Sequence, residues 1–94
     1  RDEVLRDRCR LGAAEAYAAV GNDTAATTML DLLIADVPST IFGDKALWTK
    51  AQLAVRNNNV SAAIDTLTAL LVQYPKSILL PVARERLRAL RGDN

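Results

Sequence analysis

The feature that most constrains this chain is an internal repeat. Sliding the sequence along itself by 37 positions superposes Ala26 on Ala63, Leu30 on Leu67, Leu33 on Leu70, Ile34 on Leu71, Val37 on Tyr74 and Pro38 on Pro75. The same shift places Ala14 on Ala51, Leu11 on Trp48 and the pair Gly21-Asn22 on Asn58-Asn59. A period of this size marks architectures in which one supersecondary unit is duplicated and laid beside its copy. Within each unit the apolar residues follow the alanine at +4, +7, +8 and +11, which is one stripe of a 3.6-residue helix. Amphipathic helices are therefore predicted over about 23–36 and 60–73.

Each of these is preceded by a segment rich in Ala, Leu, Arg and Lys, predicting helices over about 3–19 and 44–56. The units are helical hairpins. Gly21 suits the left-handed residue that ends a helix, and Asn58 takes that conformation more readily than most side chains. Asn22 or Asp23, and Asn59 or Ser61, are then available as caps for the helices that follow. Pro38 and Pro75 stop the second helix of each pair, because the residue before a proline is pushed out of helical geometry. A third copy begins with Pro75-Lys76-Ser77 and continues as a helix over about 78–91, with Ala83, Leu87 and Leu90 as its apolar stripe and Gly92 as its stop. Ser77 is its predicted cap. Alternating strand patterns are absent. The expected organisation is one domain over 1–94: repeat 1 at about 5–38, repeat 2 at about 42–75, and a terminal capping helix at about 78–91.

Composition narrows the function more than it narrows the fold. Twelve Lys and Arg against eleven Asp and Glu leave a net charge of +1, too little to draw in phosphate backbones, so nucleic acid is not the expected partner. With no His and a single Cys, neither an intrachain disulfide nor the usual zinc ligand set can be assembled, and a thiol nucleophile would have no imidazole base. No glycine-rich phosphate cradle is present. The expectation is a protein that is not an enzyme and needs no cofactor, metal or small-molecule substrate. The apolar runs, such as Ile78 to Ala83, are too short to form a transmembrane segment.

Small residue, Tyr, Gly, Ala and Pro at Ala14, Tyr17, Gly21, Ala26 and Pro38 form a spacing that resembles the tetratricopeptide repeat. The second unit keeps Ala51, Ala63 and Pro75 but has Ala54 for the aromatic and Asn58 for the glycine. Its 37-residue period is longer than the common one of about 34, the extra residues falling in the loop Ser39 to Asp44. That loop, with Gln73-Tyr74-Pro75-Lys76-Ser77 and Ala83-Arg84-Glu85-Arg86-Leu87, looks like the variant found in bacterial cell-envelope proteins such as the Tol–Pal coordinator and outer-membrane assembly lipoproteins. The resemblance implies an all-α fold of about five helices, with antiparallel hairpins stacked as a short right-handed solenoid. It points to the bacterial periplasm or cell envelope as compartment, with the cytoplasm as alternative.

The resemblance also implies a protein–protein interaction scaffold that holds a peptide or protein partner on a concave face lined by the first helix of each pair. Carried onto this sequence, that face comprises Arg8, Leu11 and Glu15, then Lys45, Trp48, Gln52 and Arg56, then Arg86 of the last helix. Trp48 is the natural anchor, although it fits an inter-repeat core equally well. Gln52 and Glu15 stand where the family's carboxylate-clamp subtype would want Asn, so that specificity is not expected. Homo-oligomerisation through open repeat ends, burying Val4, Leu5 and Leu11, is a further expectation. Two alternatives compete: a structural part of an envelope or secretion assembly without a separable ligand, and a weak nucleic-acid or anionic-surface binder using the stripe Arg84, Arg88, Arg91. That stripe reads most simply as the solvated side of a capping helix. Cys9 is expected to be a small, partly buried residue. Asp31, Asp36 and Asp65 are expected on exposed helix sides, with no spacing that assembles a two-acid site.

Overall fold

The computed structural model describes residues 2–35 and 41–92. It is all-helical, with α1 (Asp2–Ala19), α2 (Asp23–Ala35), α3 (Gly43–Arg56), α4 (Val60–Gln73) and α5 (Leu80–Arg91), and no strand among the described residues. The helices fall where the periodicity places them, within a residue or two. The stop assigned to Pro38, and the positions of Asp36 and Val37, lie outside the described residues.

The two inter-helix turns repeat each other bond for bond. Gly21 adopts φ 83° and Asn58 φ 61°, both left-handed. In the first turn Gly21 N donates to Ala18 O (3.1 Å) and Asn22 N to Tyr17 O (2.8 Å). In the second, Asn58 N donates to Val55 O (3.0 Å) and Asn59 N to Ala54 O (2.8 Å). These bonds satisfy carbonyls that the ending helix would otherwise leave open. The asparagine after the left-handed residue caps the next helix in each case: Asn22 Oδ1 accepts from Ala25 N and Asn59 Oδ1 from Ala62 N, each at 3.2 Å. Asp23, the competing cap on sequence grounds, is instead the first residue of α2 and directs its carboxylate to Arg56.

Packing follows chain order. α1 lies on α2, α2 on α3, α3 on α4 and α4 on α5, with a smaller contact between α1 and α3, and the body measures 43 × 30 × 17 Å. Two apolar clusters result. The first joins Leu11 and Ala14 of α1, Ala26, Leu30 and Leu33 of α2, and Ala46 and Leu53 of α3. The second joins Leu47 and Ala51 of α3, Leu67 and Leu70 of α4, and Ala83 and Leu87 of α5. Helix α3 therefore presents one apolar side to each cluster, and Ile34 packs against both. The four largest fully buried side chains are Leu30, Leu33, Leu67 and Leu70, two pairs related by the repeat. Each contributes about 1.5–3 kcal/mol through burial.

The second half has a feature without a counterpart in the repeat pattern. Gly43 opens α3 against the ring of Tyr74, and a Cβ built there would overlap the Tyr74 hydroxyl and its ring carbon. That hydroxyl is buried and has no hydrogen-bond partner among the described residues. Burial, reinforced by the negative charge of Asp44, pushes the phenol above its ordinary range.

Ser77 does not cap a helix from 78 onward as the sequence suggests. Its Oγ accepts from Leu79 N (3.0 Å) and donates to Asp44 Oδ2 (2.6 Å), which ties the Tyr74–Leu79 joint to the start of α3 and holds Ile78 and Leu79 in a turn. α5 begins at Leu80, with Pro81 in its first turn, where a missing N–H costs nothing. Cys9 corrects another expectation: it is exposed, because the α1 side that carries it faces away from α2 and α3. Asp7, by contrast, is only 4% exposed and is compensated by Arg6 at 3.2 Å and Arg10 at 3.9 Å.

Candidate functional site

The first helices of the successive units, α1, α3 and α5, meet around an open concavity of about 400 Å³ lined by Ala18, Thr49, Gln52, Leu53, Val55, Arg56 and Arg86. Leu53 belongs to the first apolar cluster, which fixes the α3 side of this concavity. Gln52 lies one residue before it and is exposed. From α5, Arg86 reaches back to stack its guanidinium over the Trp48 ring, 5.6 Å from the ring centre. Trp48 is half-buried against the second cluster, so the indole has one face in the core and the other under a cation. The inter-repeat packing expected of Trp48 is therefore present, and part of the ring remains exposed. A cation over an indole contributes about 0.5–2 kcal/mol depending on desolvation.

Arg56 has a more committed role than a basic group on a groove wall. Its guanidinium pairs with Asp23 of α2, through Nη2 and through Nε (3.3 Å), and Nη2 also donates to Ala18 O at the end of α1 (2.9 Å). Asn57 Nδ2 donates to the same Asp23 carboxylate (2.8 Å) and to Leu53 O (2.8 Å). The hydrogen-bonded guanidinium first, and the Asn57 amide second, hold the Asp23 carboxyl below its ordinary range. Three helices are thus fastened at one corner, and Arg56 borders the concavity with its charge already matched. A second tie, Lys50 Nζ to Asp31 Oδ1 at 2.7 Å, joins α3 to α2 on a more exposed side.

The structure brings together Gln52, Arg56 and Arg86, with Trp48 beside them under Arg86. Lys45 is not among them. It borders a separate groove with Ile41, Phe42, Asp44, Ile78 and Leu79, whose volume is about 180 Å³. Arg8 and Glu15 are exposed on α1 and line neither depression. Leu11 is a correction. At 6% exposure it is a member of the first cluster, so it packs beneath the face and cannot touch a partner. For the same reason it cannot join Val4 and Leu5 in an oligomer contact, although those two are exposed. Sequence reasoning missed Ala18, Thr49, Leu53 and Val55, which become walls only where α1 and α5 approach α3.

Among the described residues, no group of His, Cys, Asp or Glu is placed to hold a metal ion, and no helix is long and apolar enough to cross a membrane. No protein-family model, curated protein or solved structure matches this chain.

Proposed function

We propose that this chain is a non-enzymatic interaction module of the tetratricopeptide type, which holds a protein or peptide segment against the face formed by α1, α3 and α5. The observation that carries the reading is the concavity shared by those three helices, with Gln52 exposed in it and Arg86 stacked on Trp48 beside it. Support for the stacked-hairpin part comes from the repeated turns and from contacts that run in chain order. A surface held by two apolar clusters and two ion-pair ties is ordered before a ligand arrives, which lowers the entropic cost of association. Arg86 is a donor suited to a carboxylate, and its stacking leaves its N–H edge available for a planar acceptor. The ligand chemistry favoured is an acidic segment with an apolar residue to lie near the indole.

The test is site-directed photo-cross-linking in a native extract, with the cross-linker placed at Gln52 or, as control, at Asp65, which is exposed on α4. Capture of a protein at position 52 alone, lost on Arg86→Ala while that variant keeps its helical content and cooperative unfolding, is the expected result. Equal capture at both positions, or capture that survives Arg86→Ala, removes the proposal. Arg56→Ala is a poor probe, because it severs the tie to Asp23 and Ala18.

A further inference from the structure

The 37-residue shift that relates α1 to α3 also relates α3 to α5, since the helices begin at Gly43 and Leu80. Ala46 and Leu53, the α3 residues that face the preceding hairpin, then correspond to Ala83 and Leu90, which pack on or within the second cluster. The opposite side of α3 carries Leu47 and Ala51, which lie in the second cluster with α4, and Ala54, which borders a depression with Ala62 of α4. This is the seat on which the next helix lies. Its equivalents on α5 are Arg84, Arg88 and Arg91.

All three arginines are exposed, and no ion pair engages them among the described residues. Where α3 offers Leu, Ala and Ala to a helix, α5 offers three guanidiniums at the spacing 0, +4 and +7, along about 10 Å of helix. We propose that this side of α5 is a second interaction surface, separate from the concave face, and that its occupant is an acidic helix of another protein with carboxylates at matching spacing along one side.

The occupant follows from what the position is and from what else could reach it. The seat is by construction helix-shaped, since its counterpart on α3 holds α4. Among the described residues a second copy of this chain offers no matching row: Asp7, Asp23, Asp31 and Asp44 are engaged by Arg6, Arg56, Lys50 and Ser77, α4 has Asp65 alone, Glu85 is on α5 itself, and the exposed Glu3 and Glu15 of α1 are too far apart to face all three arginines. A membrane is disfavoured because the apolar stripe of α5, Ala83 and Leu87, is already in the core, and its exposed Val82 lies two residues from Arg84, round the other side of the helix. Nucleic acid is disfavoured because three charges over so short a span, on a chain of net charge +1, neutralise few phosphates.

The experiment uses a synthetic alanine-rich helical peptide with Glu at i, i+4 and i+7, titrated into the whole chain and followed by backbone amide shifts. Controls are a peptide of the same composition with the glutamates spread around the helix, vesicles of phosphatidylglycerol and phosphatidylcholine, and a short DNA duplex. The expected result is saturable binding of the patterned peptide with shifts concentrated on residues 84–91, weakened at least about tenfold by redistributing the glutamates, the ratio that corresponds to about 1.4 kcal/mol. Arg84→Gln, Arg88→Gln and Arg91→Gln together abolish it without changing the melting temperature, and the corresponding triple change to Glu transfers binding to a lysine-bearing peptide. Equal binding of both glutamate peptides, binding of vesicles or duplex alone, shifts centred on Trp48 and Gln52, or no saturation each overturns the proposal. Failure here leaves the concave-face reading intact, since that test reads different residues.

Discussion

The two hairpins use one turn and two solutions to it. Gly21 supplies the left-handed residue in the first without steric cost; Asn58 supplies it in the second, and the flanking hydrogen bonds agree to within 0.1 Å. The comparison teaches that the backbone, rather than the residue type, is what the repeat preserves. Elsewhere the halves diverge. The first hairpin is fastened to α3 by ion pairs, Asp23 with Arg56 and Asp31 with Lys50. The second half is fastened by rings and notches: Trp48 lies beneath Arg86 of α5, Tyr74 fills the space left by Gly43, and Ser77 binds Asp44, the last two tying the joint after α4 to the start of α3.

The most severe challenge to the equivalence of the halves is removal of one matched core leucine at a time. Leu30→Ala and Leu67→Ala each delete a fully buried side chain at the same repeat position, and each is expected to cost about 2–5 kcal/mol. Denaturant unfolding should give costs within about 2 kcal/mol of each other, the spread that differences in local relaxation produce. A cost in one half several times that in the other would mean that the two cores are not equivalent.

A smaller effect sharpens the contrast at the joints. Gly43→Ala forces its new methyl into Tyr74 and is expected to destabilise by about 1–3 kcal/mol. Tyr74→Phe removes a buried hydroxyl that lacks a partner among the described residues and is expected to be neutral or mildly stabilising. In the Phe background Gly43→Ala should cost less, because the atom it meets first is gone. Additive costs in the double variant would show that the two residues do not share that space.

The smallest expected effect concerns the ionic fastening. Because Asp23 has a depressed pKa in the fold, the unfolded chain binds more protons in the acid range, so stability rises with pH there. The contribution is fully present above the unfolded carboxyl's value of about 3.9 and fades as pH falls through the lower folded value. NMR titration of the Asp23 carboxyl should show its midpoint return toward the ordinary range in Arg56→Gln. An unchanged midpoint would mean that the guanidinium does not set it.

Particular residues show how far the sequence was legible. Five helices, two turns and a pair of cap candidates at each turn follow from short-range rules, while the choice of Asn22 over Asp23 and of Asn59 over Ser61 was made in the fold. Leu11 shows where those rules end. Its repeat partner is Trp48, yet Leu11 lies within the first cluster while Trp48 packs on the edge of the second and stays partly exposed, a difference that the repeat position does not encode. Arg56 was legible as a basic residue on the right helix, but not as the partner of Asp23, 33 positions earlier. Exposure of Cys9 and burial of Asp7 were equally out of reach, because periodicity assigns a side to a helix only relative to neighbours that it does not name.

The sequence by itself determined the set of elements and their duplication, since helix formation, capping and termination are decided among residues within a few positions of one another. Only the tertiary structure decided which side of each helix meets which neighbour. That choice depends on how the stripes of different helices interlock, a property of their packing that no single stripe contains. It turned Leu11 inward, set Arg86 over Trp48, and left Arg84, Arg88 and Arg91 facing solvent at the seat where α3 carries α4.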